Sequence, residues 1–367
     1  MPHDRTLPRD DWSPPDPGVR LPGQKIKAVP RRIRQIVSAT LQRLFPVGFA
    51  RLKMRMVAAR NFRCDARRFR ERSGIARTVE QVTLQAKITM DYHRLEKGLS
   101  LREPRTDFGT KVAHDLIGNL TRYCRTFGAD QLTATTLEVL EEYNQFRRRH
   151  ATAVAAIEGA TARLRREFSW DGSACGGGTI EISAAQVRSM SRIDAAAFFG
   201  SRHSVRDFTD EPVDVSQLET AVRMAQRTPS VCNRQAWRVH VARDPALKEK
   251  LLALQNGNLG FRSQIACALV VVCDLRHFVT VGERNQAWID GGMFAMSLVY
   301  ALHSLGLGTC FLNWSVTEEV DRKLRPLLQV TEHDVIITML AVGHLPERFR
   351  VAHSQRKSID RALVLED

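Results

Sequence analysis

The sequence has few cysteines and no charge-free apolar run long enough to cross a membrane. Its seven cysteines, among 367 residues, include no C-x-x-C pair, which favours free thiols in a reducing cytoplasm over a disulfide framework. No apolar core of a signal peptide occurs near residue 1. The most apolar long run, 287–307, contains Asp290 and His303, so it predicts a buried helix. We therefore expect a cytoplasmic protein.

Two nucleotide-binding patterns are also missing. The run Gly176-Gly177-Gly178 is not followed by Gly-Lys-Ser or Gly-Lys-Thr, so we interpret it as part of a linker and not as a phosphate loop. No G-x-G-x-x-G follows a predicted strand, and a separate dinucleotide-binding domain therefore has no support.

No metal site is predicted either. His93 and Glu96 lie three residues apart on one predicted helix face, but only His114-Asp115 offers further ligands and no second Glu-x-x-His occurs. Helix packing with an ion pair of Glu96 is the preferred interpretation.

Acidic residues are scarce in one segment, 25–72. It holds 15 Lys and Arg against Asp65 and Glu71, so a surplus of 13 positive charges out of the chain's +15 lies there. A solvated basic face packed on the rest of the protein is the first interpretation. The alternatives are contact with the anionic inner surface of a membrane, contact with an acidic partner and, least favoured, nucleic acid.

Composition and periodicity divide the chain into four parts. We predict a disordered tail over 1–24, a basic all-helical region over 25–170, a Gly-rich linker over 171–185 and an α+β domain over 186–367. Apolar spacing predicts a helix over 33–45, a second one through Leu52 and Met56, a third that stops near Gly98, and two or three more over 110–168. In the last domain we expect strands at 238–242, 268–274 and 334–343, and helices at 215–227, 245–255, 287–305 and 317–328.

The residues that indicate a function fall in two segments of the last domain. Arg202, Ser204 and Arg206 offer guanidinium groups and a hydroxyl suited to a phosphate. Ser230, Asn233 and Gln235 follow about 25 residues later, before Trp237, and their amides suit the polar edge of a heteroaromatic ring. A flavin mononucleotide needs both kinds of group. Taken singly, a solvated basic turn and a backbone-capping loop explain the two segments equally well.

Together and in this order, the segments resemble the nitroreductase family of FMN-dependent oxidoreductases. The resemblance covers about 190–365 and includes Asp290-Gly291-Gly292, Gly306-Leu307-Gly308 and Ala341-Val342-Gly343-His344. It implies an α+β domain with a mixed sheet flanked by helices. It also implies a homodimer with flavins at the subunit interface, and the apolar face of the helix over 287–305 (Met293, Phe294, Leu298, Ala301 and Leu302) is the expected dimer core. A core within one subunit is the alternative for that face.

The resemblance also assigns roles by position. Arg202, His203, Ser204 and Arg356 would hold the FMN phosphate, and Arg206 would reach the N1/O2 edge. Ser230, Asn233 and Gln235 would meet the pyrimidine edge, and the backbone of Asn313 and Trp314 would face N5 and O4. No protein acid or base is assigned as catalytic. Ala236 stands where the family usually has Pro, and the Asn313–Trp314 pair differs from the pair that is usual in the family. These two departures leave the identity of the substrate undetermined.

The function implied is hydride transfer from NAD(P)H through FMN to a small organic acceptor, in ping-pong fashion. A flavin-binding scaffold at a membrane surface or in a polysaccharide-related assembly, and a flavin-consuming or oxidase variant, are the alternatives. The segment Arg105-Thr106-Asp107-Phe108-Gly109 resembles extensions of nitroreductase-like proteins found in bacterial polysaccharide clusters.

Overall fold

The computed structural model describes residues 46–76, 80–168, 170 and 176–366. The chain divides into two compact units, 1–59 and 60–367, and only the part from residue 46 onward is described in the first. The predicted tail over 1–24 and the predicted helix over 33–45 lie outside the described residues. The domain boundaries inferred from composition stay predictions.

Among the described residues, helices and strands alternate only in the second half of the chain. The helices are α1 (Pro46–Arg72), α2 (Gln81–Leu99), α3 (Thr110–Phe127), α4 (Gln131–Arg149), α5 (Ala155–Glu167), α6 (Ala184–Met190), α7 (Ala195–Ser201), α8 (Val215–Ala225), α9 (Pro245–Leu252), α10 (Gln286–Ser304) and α11 (Glu318–Leu328). The strands are β1 (Trp237–Ala242), β2 (Cys267–Asp274), β3 (Leu307–Asn313) and β4 (Asp334–His344).

Helices α2 to α5 share one apolar core. Leu116, Leu120, Leu137, Leu140 and Tyr143 are all buried there. Apolar residues recur at steps of three and four along these helices, so each helix turns one face inward. A capping box at the start of α4, in which Asp130 accepts from the backbone N–H of Thr133 at 3.2 Å, fixes the turn after α3.

The described part of the predicted linker is attached to this bundle. Three carboxylates, of Glu138, Glu96 and Glu142, accept hydrogen bonds from the backbone N–H groups of Gly177, Gly178 and Thr179 at 2.6, 3.2 and 2.7 Å. A Cβ on Gly177 would lie 2.3 Å from a carbonyl oxygen of α4, so this glycine permits a close approach of two backbones.

The sheet has the strand order β1-β2-β4-β3, and all its named strands pair antiparallel. Every residue of β2 is buried, because both faces of the sheet are covered. Helices α8 and α10 cover one face, and α9 and α11 cover the other. The α+β class is confirmed. In place of a mixed sheet, the named strands are all antiparallel, and parallel pairing in the described residues is limited to one bridge between Ser204 and Thr309.

Helix α10 is a core helix of the single chain. Phe294, Leu298, Ala301 and Leu302, four residues of the face assigned to a dimer, are buried in this chain's own core, whereas Met293 is 38% exposed. The alternative of a core within one subunit therefore describes this face. No helix of the described ranges is long and apolar enough to cross a membrane.

Basic residues of α1 meet acidic residues of α11. Arg68 bonds Asp321 at 2.9 Å, with both side chains mostly buried, and Arg60 bonds Glu318 at 3.1 Å. Asn61 also caps α11, since its side-chain oxygen accepts from the backbone N–H of Glu318 at 2.7 Å. This part of the basic segment is packed, which agrees with its first interpretation.

Candidate functional site

Four of the predicted phosphate ligands line one cavity of about 580 Å³, which we call the arginine cavity. They are Arg202, His203 and Ser204 after α7, and Arg356 near the C-terminus; Arg206 lines the same cavity. None of these three arginines forms an ion pair with a residue of the described ranges. The cavity therefore carries uncompensated positive charge, which favours an anionic ligand.

The segment that carries Arg202 to Arg206 is fixed to the sheet beside it. The backbone N–H of Val205 donates to the Thr309 carbonyl of β3 at 2.9 Å, next to the Ser204–Thr309 bridge. Val205 and Phe208 are buried, whereas Arg202 and Ser204 are half-buried and His203 and Arg206 are exposed. The buried apolar residues thus hold the segment while its polar residues line the cavity.

Two glycines make room for Phe208. Gly308 of β3 and Gly343 of β4 pair across the sheet, and a Cβ on them would lie 3.1 Å and 2.8 Å from the Phe208 ring. Any larger side chain at Gly343 would displace that ring and, with it, the arginine segment. Gly308 and Gly343 therefore let Phe208 pack closely on the sheet, whereas Gly306, with a φ of 76°, lies in the turn between α10 and β3.

The predicted ring ligands lie in a second place, the loop of residues 230–236, which we call the amide loop. Cys232, Asn233 and Gln235 have positive φ angles of 49°, 53° and 46°. Positive φ costs a non-glycine residue about 1–2 kcal/mol, so the surrounding structure must hold this loop. Asn233 and Gln235 line a cavity of about 610 Å³ together with Arg223 and Arg227, which we call the amide cavity.

Buried charge supplies the first of these holding contacts. The Arg234 side chain is fully buried, pairs with Glu283, and donates to the carbonyl of His277 at 2.7 Å. Its guanidinium also lies 5.6 Å from the centre of the Phe278 ring. The pKa of Glu283 is lowered, because the bonds from Arg234 and from two backbone N–H groups outweigh the effect of burial, which alone would raise it.

Asp290 supplies the second holding contact. This buried carboxylate accepts from the backbone N–H of Val231 at 3.2 Å and from the Gln286 amide at 2.8 Å. Burial raises the pKa of Asp290 above its ordinary value, and the two hydrogen bonds oppose that shift. Next to it, a Cβ on Gly291 would lie 2.6 Å from Ile337, so the glycine lets α10 approach the sheet.

Within the amide loop the three predicted ligands contact each other. The Ser230 hydroxyl accepts from the backbone N–H of Gln235 at 3.0 Å, and the Gln235 amide donates to Asn233 Oδ1 at 3.2 Å. Trp237 anchors the end of the loop, since its ring stacks on Phe294 with centroids 4.8 Å apart. These contacts orient the amides before any ligand arrives.

Asn313 and Trp314 lie at a third place, the end of β3. The indole N–H of Trp314 donates to Asp321 at 3.2 Å, and the ring packs partly into the core under α11. Trp314 lines a cavity of about 310 Å³ with Asn61, Arg68 and Trp288. The Asn313 carbonyl accepts from Gln255 at 3.5 Å.

The structure thus groups the predicted site residues in three places. Arg356 joins Arg202, His203, Ser204 and Arg206 in the arginine cavity, and Ser230 joins Asn233 and Gln235 in the amide loop. The arginine cavity and the amide cavity have no lining residue in common, so the two groups do not form one cavity within a single chain.

Sequence reasoning missed the residues that hold the amide loop. Arg234 and Glu283 are 49 residues apart, with β1, α9 and β2 between them, and a charged pair in a polar segment gives no signal of burial. His93 Nδ1 bonds Glu96 at 3.0 Å, as the preferred interpretation of this helix face expects. The described residues contain no group of three or more His, Cys, Asp or Glu that could hold a metal ion.

A model of the nitroreductase family matches two overlapping stretches, 200–266 and 253–344, which contain the arginine segment, the amide loop and the whole sheet. Residues 200–344 are therefore similar to the nitroreductase family. Helices α1 to α5 lie outside the matched residues.

Similar proteins each match less than half of the chain. A protein of Bacillus subtilis named FMN reductase (NADPH) is 28% identical over 159 residues, which cover 39% of this chain and 63% of that relative. An NADH dehydrogenase of Thermus thermophilus is 26% identical over 203 residues, covering 47% of this chain and 96% of that protein. The solved structure of B. megaterium NfrA2 is 25% identical, with a TM-score of 0.41, and the match covers 48% of this chain and 75% of that one.

Proposed function

We propose that this protein is a flavin oxidoreductase that binds FMN and takes electrons from NAD(P)H. The observation that carries the proposal is the arginine cavity of a nitroreductase-family domain, in which three arginines have no carboxylate partner among the described residues. Relatives named FMN reductase (NADPH) and NADH dehydrogenase support the cofactor and the electron donor. FMN fits the cavity chemically, because guanidinium groups bind a phosphate through paired charged hydrogen bonds.

In this proposal Arg202, Ser204 and Arg356 hold the phosphate, with His203 contributing its backbone, and Arg206 lies nearest the N1/O2 edge of the ring. A positive charge at that edge stabilises negative charge on the reduced ring. Asn233, with Ser230 and Gln235, meets the pyrimidine edge, and the backbone of Asn313 and Trp314 faces the ring from the end of β3. A bound flavin would supply the redox chemistry, which we propose to be hydride transfer from NAD(P)H to a small organic acceptor in a ping-pong cycle.

The two ligand groups imply a homodimer. Because the arginine cavity and the amide cavity are separate in one chain, a second copy that brings its amide loop to the first chain's arginine cavity would complete the site. The outer side of α10 is suited to such a contact, since Trp288, Ile289 and Met293 are 47%, 51% and 38% exposed. Apolar patches of this kind on a surface helix favour association.

The test uses the full chain, purified and freed of bound flavin. Titration with FMN should give saturable binding with quenching of flavin fluorescence, and a dimer by light scattering. Anaerobic addition of NADPH or NADH should then bleach the flavin absorbance. Protein that takes up no FMN would refute the proposal.

The same preparation separates the alternatives. Flavin that binds but is not reduced by either nicotinamide would favour the scaffold function, in which the helical region recruits partners. Consumption of the flavin would favour a flavin-consuming activity, and oxygen uptake coupled to a donor other than NAD(P)H would favour an oxidase. For a reducible enzyme, a panel of small organic acceptors added to the reduced protein identifies the substrate class.

A further inference from the structure

The carboxylate of Asp321, in the first turn of α11, joins three parts of the chain. The residue is 8% exposed. Its Oδ2 accepts from the Arg68 guanidinium of α1 at 2.9 Å and from the Arg325 guanidinium at 2.8 Å. Its Oδ1 accepts from the indole N–H of Trp314 at 3.2 Å. Because a carboxylate is planar, two guanidinium groups on one oxygen fix the direction of the other oxygen towards the indole.

Both of these arginines are themselves held in place. Arg325 is 5% exposed and also donates to the carbonyls of Thr331 and Asp334 at 2.5 and 3.1 Å, so it ties α11 to the start of β4. Arg68 belongs to α1, outside the residues that match the nitroreductase family, and its side chain is 13% exposed. Exposed ion pairs are weak and mobile, whereas these two pairs are mostly buried and therefore orient the carboxylate.

The backbone just beyond β3 is the segment that this network supports. Asn313 is the last residue of β3 that pairs in the sheet. The next bonds are local, from the Ser315 N–H to Asn313 Oδ1 at 3.3 Å and from the Val316 N–H to the carbonyl of residue 314 at 2.9 Å. Local bonds curl the segment but do not attach it to another element. The indole bond of Trp314 does attach it, to α11.

The second half of α1 also borders this segment. Asn61 and Arg68 line the cavity of about 310 Å³ together with Trp314. The Asn61 side chain accepts from the backbone N–H of Glu318 at 2.7 Å, three residues before Asp321. Two bonds thus hold α1 to the start of α11, and the one at Asp321 continues to the indole.

We propose that Asp321 is a positioning residue for the flavin site, which fixes the Trp314 indole and the backbone beyond β3, and that Arg68 makes α1 part of this support. The inference rests on the proposed function, in which the backbone of Asn313 and Trp314 faces N5 and O4 of the flavin. Asp321 and Arg68 act through Trp314 and do not touch the flavin. A backbone N–H that meets O4 stabilises negative charge on the reduced ring, so its displacement disfavours reduction.

The first experiment uses the flavin-free protein. Trp314→Phe keeps an aromatic ring and removes the indole N–H, and Arg68→Met removes one guanidinium while Arg325 still pairs with Asp321. Backbone hydrogen exchange at residues 315 and 316 should be faster in each variant than in the wild type by about 2- to 12-fold, the value of one hydrogen bond, and unchanged in α4. Exchange at the wild-type rate in either variant would overturn the proposal.

Arg60→Met is the matched control. Arg60 lies on the same helix and pairs with Glu318 of the same α11 at 3.1 Å, but it has no bond to Asp321 among the described residues. It should leave the exchange at residues 315 and 316 unchanged. If Arg60→Met speeds this exchange as much as Arg68→Met does, the effect comes from the general docking of α1, and the proposal is overturned.

The second experiment measures the midpoint potential of FMN bound to the full chain. Arg68→Met should move this potential to more negative values, whereas Arg60→Met should not. In a Trp314→Phe background, Arg68→Met should have little further effect, because the group through which it acts is gone. An undiminished shift in that background would show that Arg68 acts on the flavin directly, and it would overturn the proposal.

The two experiments separate this inference from the proposed function. Wild-type protein that binds no FMN would refute the proposed function and, with it, the flavin part of the inference. The exchange experiment would still decide whether Asp321 and Arg68 order the end of β3.

Discussion

The arginine cavity and the amide loop differ in how much of their geometry the protein itself supplies. Arg202, Arg206 and Arg356 line an open cavity and have no carboxylate partner among the described residues. The amide loop, in contrast, is held in a strained conformation by Asp290 and by the buried Arg234–Glu283 pair. One group is charged and accessible, and the other is neutral and fixed.

The difference follows from the forces involved. Attraction between charges falls slowly with distance and does not depend on angle, so flexible arginines can close on a phosphate after it arrives. Hydrogen bonds between neutral groups weaken steeply when they are misaligned, so amides that recognise a ring edge must be oriented beforehand. The chain therefore places its buried contacts at the amide loop.

The largest expected effect comes from breaking the support of the amide loop. Arg234→Met leaves the Glu283 carboxylate without its buried partner and should lower the free energy of unfolding by about 3–5 kcal/mol. Chemical denaturation measures it. FMN affinity should fall at a temperature where the variant is still folded, because the loop loses its order.

Arg125→Met is the control for this change. Arg125 pairs with Glu167 on the surface, where both side chains are largely exposed, so its loss should cost less than about 1 kcal/mol. Equal destabilisation by the two substitutions would contradict the claim that the amide loop depends on buried charge.

At the arginine cavity the effect should be on binding and not on stability. Arg202→Ala removes a charged hydrogen bond to phosphate, worth about 1.5–3 kcal/mol, and should weaken FMN binding about tenfold or more. The unfolding free energy should stay within about 0.5 kcal/mol of the wild type, because the Arg202 side chain has no hydrogen-bond or ion-pair partner among the described residues. Titration at two salt concentrations should show a weaker salt dependence than in the wild type.

The exposed Arg192 provides the comparison for this variant, since it does not line the arginine cavity. Arg192→Ala should leave FMN affinity unchanged. If both substitutions act alike, the cavity attracts FMN only through the overall charge of the protein.

The glycine pair under Phe208 predicts a smaller effect at the same cavity. Gly343→Ala places a Cβ 2.8 Å from the Phe208 ring and should destabilise the fold by about 1–3 kcal/mol through overpacking. Gly118→Ala, in the open on α3, has no atom within 4 Å of the new Cβ and should be neutral or stabilising by up to about 1 kcal/mol. Thermal unfolding compares the two variants, and equal shifts of the unfolding temperature would argue against close packing of Phe208 on Gly343.

Acid should weaken the amide loop before the arginine cavity. Burial lowers the pKa of His277 to about 4, with Arg234 and Arg276 adding to the shift and Asp274 opposing it. Below the ordinary value of 6.5 the unfolded chain takes up a proton that the folded chain does not. The free energy of unfolding should therefore fall as the pH drops from 6.5 towards 4, by at most about 1.4 kcal/mol per pH unit.

Denaturation at pH 7 and pH 5 of the wild type and of His277→Gln checks this sign. The variant should lose less stability on acidification than the wild type. An equal loss in both proteins would show that other groups cause the pH dependence.

Much of the fold follows from periodicity in the sequence. The predicted strands at 238–242 and 334–343 and the predicted helix at 215–227 agree with the structure to within two residues at each end. Local apolar spacing determines these elements, and each buries the face that its spacing marks. The strand over 307–313 is not among the predicted strands, because Gly306 and Gly308 obscure its pattern.

The site was predictable only in part. Spacing groups Arg202 with Ser204 and Arg206, but only the family resemblance brought Arg356 to them, and the structure then places all four on one cavity. The contact of Asp290 with the backbone of Val231 joins two distant parts of the chain, and an aspartate in an apolar helix gives no sign of which group it binds. Long-range pairs of this kind depend on the tertiary fold.

The most direct test of the two-part site is a comparison of FMN with riboflavin, which has the same ring system but no phosphate. Affinities for both are measured by fluorescence titration with the wild type, Arg202→Ala and Asn233→Ala. The account predicts that Arg202→Ala weakens FMN binding and leaves riboflavin binding unchanged, whereas Asn233→Ala weakens both by similar factors. Equal losses of FMN and riboflavin affinity in Arg202→Ala, or unchanged affinities in Asn233→Ala, would contradict it.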